Sequence, residues 1–279
     1  MTKLDFVIVG AEKAGTSYLV EALRRCPDVA LPAPEVRYFR DPFYPTRERP
    51  EDVFAGATPR LKGIKHPSYL GRPEVAERIY KHNPETKLIA VLRNPVDRAI
   101  SSYLHYIRYA QIPLVHPNEG LPLLFAGDER VPKYADILEF GLYGRHLDRY
   151  LRFFPDDQLL LLEFEDLVTK TDWLEPLGAF LGIDGIEAPA APVNEGSYDW
   201  NRCTAEFAIA LVTNVYDAGR NIVGRRDDVY ARSFTFEQLK ALPPEPVEID
   251  QEVRARLAAY YQPDIRALRE RGLFRPRHW

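Results

Sequence analysis

Residues 10–17 read Gly-Ala-Glu-Lys-Ala-Gly-Thr-Ser, directly after the apolar run Leu4 to Val9. A buried strand that breaks into a glycine-punctuated turn and then a helix turns backbone N–H groups and the positive end of a helix dipole toward an anion. Lys13 adds a full positive charge, and Thr16 and Ser17 add hydroxyl donors. These residue types at this spacing make a phosphate cradle. The turn is not a standard P-loop, whose lysine follows the second glycine. Here Lys13 precedes Gly15 by two residues. The plain alternative is a tight strand-to-helix turn carrying a surface lysine.

A second cationic position is Arg93, at the end of the apolar run Lys87 to Leu92. Asn94 suits an N-cap, Pro95 the first helical position, and Asp97 the returning half of a capping box. Ligands of open α/β sheets bind at the carboxyl ends of strands, so Arg93 belongs at the same edge as the cradle. Ser101, two turns into the following helix, can donate to an anion if its face turns inward. Arg93 could equally serve in an ion pair, and Ser101 as a plain helix-surface serine. Taken together the two positions fit a ligand with two anionic groups, such as a nucleotide phosphorylated on both its ribose 3′ and 5′ oxygens.

The elements that must hold these residues alternate between apolar strands and amphipathic helices, the pattern of a mostly parallel sheet covered by helices. Strands are expected at Asp5–Val9, Leu61–Lys65, Lys87–Leu92 and Gln158–Phe164. Helices are expected to Arg25, from Pro73 to Asn83, after Asn94, over Tyr134–Phe154 with an interruption at Gly141, over Trp173–Leu181, over Cys203–Ala218 and over Gln251–Arg271. The last carries Val253, Leu257, Tyr261, Ile265 and Leu268 on one face. The stretch Ile112–Pro132 reads as a long loop because of its prolines and glycines. No linker divides the 279 residues, so a single domain is expected.

Composition narrows the function classes. A net charge of −4 argues against a general nucleic-acid binder, so any anion site is a local basic focus. Cys26 and Cys203 lie in no metal-ligand spacing and are expected as buried free thiols. No run of 18 apolar residues exists to span a membrane, and a core strand from Leu4 leaves no room for a signal peptide. A cytoplasmic protein is therefore expected; oligomeric state is not readable.

The segments GAEKAGTSYLVEALRRCPDV and RNPVDRAISSYLHY, in this order, resemble the two donor-binding motifs of the sulfotransferases that use 3′-phosphoadenosine 5′-phosphosulfate (PAPS). EVRYFRDPFY, GLYGRHLDRYLRFFPDDQLLLLEFEDL and the terminal IDQEVRARLAAYYQPDIRALRERG resemble the heparan sulfate and related bacterial branch. The likeness covers most of residues 4–182 and 248–272. It implies a P-loop-like three-layer αβα fold around a central, mostly parallel sheet. It also implies PAPS as co-substrate and adenosine 3′,5′-bisphosphate as product. A sulfuryl group carries less charge than a terminal phosphoryl group and no cluster of metal-ligating carboxylates stands in the sequence, so no metal is expected.

Position by position, the resemblance implies that Lys13 with the backbone of Ala14, Gly15, Thr16 and Ser17 holds the 5′-phosphosulfate. Arg93 and Ser101 would hold the 3′-phosphate. Glu35 would be the general base, Lys65 a second active-site lysine, and His105 a histidine assisting near the reacting centre. Arg37 replaces the family's EVHFF histidine, and Pro67 stands where the cytosolic branch has its catalytic histidine. Glu35 is therefore preferred over a histidine base. The basic loop of the heparan branch does not align here; Arg225 and Arg226 are the candidates for it.

Sulfuryl transfer asks for positioning and for charge stabilisation at the leaving phosphate, which two lysines supply. A partly buried Glu35 serves as base; its plain alternative is a pair with Arg37. His105 can equally be a helix histidine packed among Tyr103, Tyr106 and Tyr109. Two other functions compete: a nucleoside-triphosphate kinase or ATPase, because Leu159–Glu163 imitates a Walker B strand, and a non-catalytic nucleotide-binding protein. The acceptor is expected to be a hydroxyl of a small molecule, lipid or glycan, as in natural-product biosynthesis. The aromatics Tyr38, Phe39, Phe43 and Tyr44 and the segments 109–133 and 195–235 are expected to shape its pocket.

Overall fold

The structure is a computed structural model and describes residues 3–44, 52–54, 56, 58–127, 133–190, 199–223 and 243–279. Five strands, β1 (Phe6–Gly10), β2 (Val29–Ala30), β3 (Leu61–Lys65), β4 (Lys87–Leu92) and β5 (Leu159–Glu163), form one sheet in the order β2-β3-β1-β4-β5. Every pairing is parallel. All five residues of β1 are buried, as the uninterrupted apolar run requires of a strand covered on both faces.

The helices are α1 (Thr16–Arg24), α2 (Val75–His82), α3 (Pro95–Arg108), α4 (Pro117–Phe125), α5 (Tyr134–Ile137), α6 (Tyr143–Leu151), α7 (Phe164–Thr169), α8 (Leu174–Leu181), α9 (Trp200–Val223) and α10 (Gln251–Glu270). The apolar faces expected from periodicity are buried: Val75, Ala76 and Ile79 in α2, and Val253, Leu257, Tyr261, Ile265 and Leu268 in α10. Gly182 closes α8 with φ of 70°, the left-handed cap that glycine adopts without a Cβ penalty.

The chain divides into two compact units. The first, residues 1–98, 138–195 and 258–279, contains the whole sheet. The second comprises residues 99–137 and 196–257. Within it Arg108 pairs with Glu206 on α9, Asn118 bonds both Glu248 and Asp250, and Trp200 N–H donates to Glu245 at 2.7 Å.

The expected long loop at Ile112–Pro132 is corrected by α4. His116 caps it by accepting from Asn118 N–H, and Pro117 sits in the first turn, where a missing N–H costs nothing. Leu121 and Leu124 are buried, so the apolar face outweighs the proline punctuation. Residues 128–132, 195–198 and 224–235, Arg225 and Arg226 among them, lie outside the described residues. Both cysteines are free and buried, as expected.

Candidate active site

The strand order decides which side chains can meet. β1 lies between β3 and β4, and all run in one direction. The turn after β1 is therefore flanked at the carboxyl edge by Lys65, the last residue of β3, and by Arg93, the residue after β4. This is the crevice where an open parallel sheet receives its ligand.

Gly15 is the N-cap of α1 in the left-handed region, φ 77°, and no side chain caps the helix there. The first amides of α1 are thus left for an anion. A Cβ at Gly15 would stand 2.6 Å from the ring of Phe164, so glycine is required by conformation and by space together. Lys13 also has positive φ, 64°, uncommon for a side-chain-bearing residue and typical of turns over-determined by function.

Arg93 donates from Nη1 to the main-chain carbonyl of Lys13 at 3.2 Å, and its guanidinium lies 4.7 Å from the centre of the Phe164 ring. Phe164 opens α7 directly after β5, and thus wedges between the Gly15 turn and Arg93. Asn94 caps α3 through its Oδ1, which accepts from Val96 N–H at 3.0 Å. The returning bond to Asn94 N–H comes from Glu165 on α7, at 3.3 Å, where the sequence pointed to Asp97. Burial raises the Glu165 carboxyl above its ordinary value, helped by the Glu163 charge and opposed by bonds from backbone N–H groups.

On the other side of β1, Lys65 Nζ bonds Glu35 Oε1 at 2.6 Å. The plain alternative, a pair of Glu35 with Arg37, gives way to this one. The expected burial of the carboxylate is also corrected: the Glu35 side chain is 44% exposed, against 12% for Lys65. The reason is the irregular segment before Val36, which carries Glu35 past the end of β3 while Val36 N–H bonds the Lys65 carbonyl at 3.1 Å. Tyr69 fixes the same segment, its hydroxyl donating to the Val36 carbonyl at 2.5 Å and accepting from Phe39 N–H at 3.3 Å. A cavity of about 200 Å³ opens here, lined by Ser17, Glu21, Arg24, Pro34, Glu35 and Lys65 among others.

His66, next to Lys65, is 3% exposed. Its Nδ1 accepts from Ser68 N–H at 3.2 Å and its Nε2 faces Arg40 at 3.4 Å. Burial, then the charges of Arg40, Lys65, Arg37 and Arg72, push its pKa down to about 3. A ring so weakly basic is a poor proton acceptor at neutral pH. Ser101 and His105 lie further along α3, in the second unit. Ser101 is buried, and the His105 ring packs on Tyr109 at 4.7 Å and Tyr106 at 5.8 Å.

The Walker B imitation is structural. Both carboxylate oxygens of Glu163 accept backbone N–H groups of the C-terminal segment, from Arg277 at 3.0 and 3.2 Å and from His278 at 3.1 Å. Asp166 beside it is held by Lys170, His278 and Arg277. Sequence reasoning missed Phe164, although its place one residue past a buried strand puts it at the ligand edge.

A parallel αβα sheet with an uncapped glycine turn, flanked by a lysine and an arginine on adjoining strand tips, defines a P-loop-like fold with a cationic ligand edge. The family described as "Sulfotransferase domain" matches residues 3–189, and the chain belongs to it. The chain is 38% identical over 173 residues to mouse heparan sulfate glucosamine 3-O-sulfotransferase 6, covering 58% of this chain and 47% of that protein. It is 33% identical over 186 residues to mouse heparan sulfate glucosamine 3-O-sulfotransferase 3B1, covering 64% and 46%. The chain thus spans about half the length of these relatives. The crystal structure of a sulfotransferase from Alicyclobacillus acidocaldarius superposes with a TM-score of 0.58 at 26% identity, covering 83% of this chain and all of that one. None of this favours the kinase reading. Among the described residues, no helix is long and apolar enough to cross a membrane.

Proposed function

We propose that the protein transfers a sulfuryl group from PAPS to a hydroxyl of a small-molecule, lipid or carbohydrate acceptor. The observation that carries this reading is the convergence of the uncapped α1 turn, Lys13 and Arg93 on one side of β1 with the Glu35–Lys65 pair on the other. The donor fits this set: a phosphosulfate matches the amides of residues 14–17, and a phosphate matches a guanidinium. The roles of Ser101 and His105 in this scheme rest on the family resemblance.

Bound PAPS would supply a sulfur bearing a good leaving group. Glu35 takes the proton of the acceptor hydroxyl as that oxygen bonds to sulfur. The sulfur–oxygen bond to the phosphate breaks in line, and adenosine 3′,5′-bisphosphate leaves with the electron pair. Lys13 and Lys65 answer the charge that grows on the bridging and nonbridging oxygens, the kind of preorganised stabilisation that dominates such steps. Lys65 starts on Glu35, and solvent at the open Glu35 carboxylate weakens the pair, so its ammonium can be redirected. Two buried free thiols agree with a reducing, cytoplasmic setting.

The test is transfer of labelled sulfate from PAPS across an acceptor panel, beside ATP with Mg²⁺. Turnover with PAPS and none with ATP supports the reading. Tight binding of adenosine 3′,5′-bisphosphate with no transfer to any acceptor would leave a binding protein, and Mg²⁺-dependent turnover of ATP would restore the kinase.

A further inference from the structure

One nine-residue helix separates the donor cradle from the segment that carries Glu35. Ser17, in the first turn of α1, and Arg24, its last residue, are seven positions apart, two turns along one face. That face forms one wall of the 200 Å³ cavity, and Pro32 to Glu35 with Lys65 form another. Arg24 crosses between the walls. Its guanidinium bonds three consecutive main-chain carbonyls, Leu31 at 3.4 Å, Ala33 at 3.0 Å and Pro32 between them.

Prolines at 32 and 34 remove two backbone N–H groups from this stretch, so it has few ways of its own to be held. Downstream of Glu35 the chain is fixed by Val36, through the Lys65 carbonyl and the Tyr69 hydroxyl. Upstream, β2 pairs with β3 at Val29 and Ala30, and between that strand and Glu35 the residues 31–33 are gripped by Arg24. Glu35 is thereby suspended between two anchors, one on β3 and its following turn, the other on the helix whose amino end faces the donor.

We infer that Arg24 is a positioning residue that sets the Glu35 carboxylate at a fixed distance from the α1 amide end. This rests on the reading of Glu35 as general base. Arg24 touches neither proton nor sulfur; it acts through the 31–33 backbone. Its loss lets the base drift relative to the donor, and drift of this sort lowers turnover rather than donor affinity.

The experiment is a double-mutant cycle between Arg24→Ala and Glu35→Gln, with calorimetric titration of adenosine 3′,5′-bisphosphate on each protein. Arg24→Ala is expected to lower kcat about tenfold while leaving donor-product affinity within about twofold, and to cost nothing more once Glu35 is Gln. Arg24→Lys, a point charge without the fork, is expected to recover only part of the rate, and free guanidinium added to Arg24→Ala to recover some of it. An unchanged kcat in Arg24→Ala, the same loss in the Glu35→Gln background, or a collapse of donor-product binding overturns the inference. If Arg24→Ala fails to fold, Arg24→Gln takes its place in the cycle with the same readings. A Glu35→Gln protein with undiminished kcat overturns the base assignment instead, a result distinct from all of these.

Discussion

Arg93 donates to the main-chain carbonyl of Lys13 at 3.2 Å, joining the tip of β4 to the turn after β1. The bond places a guanidinium beside the left-handed turn. Phe164, 4.7 Å from that guanidinium and packed over Gly15, keeps the two from separating.

Replacing Arg93 tests the donor grip. Arg93→Ala is expected to weaken binding of adenosine 3′,5′-bisphosphate on the order of 10- to 100-fold, the scale of a lost hydrogen bond to a charged group. Arg93→Lys should recover part of it, because an ammonium keeps the charge but not the fork or the stacking on Phe164. Calorimetric titration reads both.

Glu35→Gln should cut kcat by about 10²–10⁴, the usual contribution of a general base, with donor-product affinity retained. The acid limb of the pH–rate profile should vanish with it. His66→Gln should leave that limb in place, because burial and four neighbouring cations already keep the His66 ring neutral. A limb that disappears with His66 instead would move the base to the histidine.

Gly15→Ala combines two penalties. The left-handed backbone costs a Cβ-bearing residue about 1–2 kcal/mol, and the new methyl meets the Phe164 ring at 2.6 Å. Lower thermal stability and weaker donor-product binding are expected. In the Gly15→Ala, Phe164→Leu protein the two losses of stability should add to less than their sum, since the smaller side chain gives way; denaturant unfolding measures this.

Glu165 gives a pH test with a definite sign. Its carboxyl is raised by burial, so the ionised form is disfavoured in the fold. Its contribution to stability is therefore full below the ordinary value of 4.5 and is lost as pH rises through the raised one. Glu165→Gln keeps an oxygen to accept from Asn94 N–H and carries no charge. It should be more stable than the parent at pH 7, with the advantage gone below about pH 4. An equal difference at both pH values would assign the effect to packing.

The parts legible in the sequence were those governed by short-range rules. The β1 turn, the Asn94 cap and the apolar faces of α2 and α10 follow from residue type and period. Arg93 at the strand tip followed from the carboxyl-edge rule. What stayed hidden depended on partners remote in sequence. The Lys65 partner of Glu35 is thirty residues away, and Glu165 reaches Asn94 from another strand's end. Helix α4 was concealed because Pro117 reads as a breaker until it is seen at a helix start.

The two-turn span of α1 has an evolutionary corollary. Adding a single residue inside that helix would rotate everything beyond it by about 100° and swing Arg24 off the loop it holds, while the glycine turn stayed intact. Such a chain would still capture nucleotide yet lose its alignment with the incoming alcohol. Loop lengths around the pocket are therefore free to diversify among descendants, whereas the length of this one helix is not.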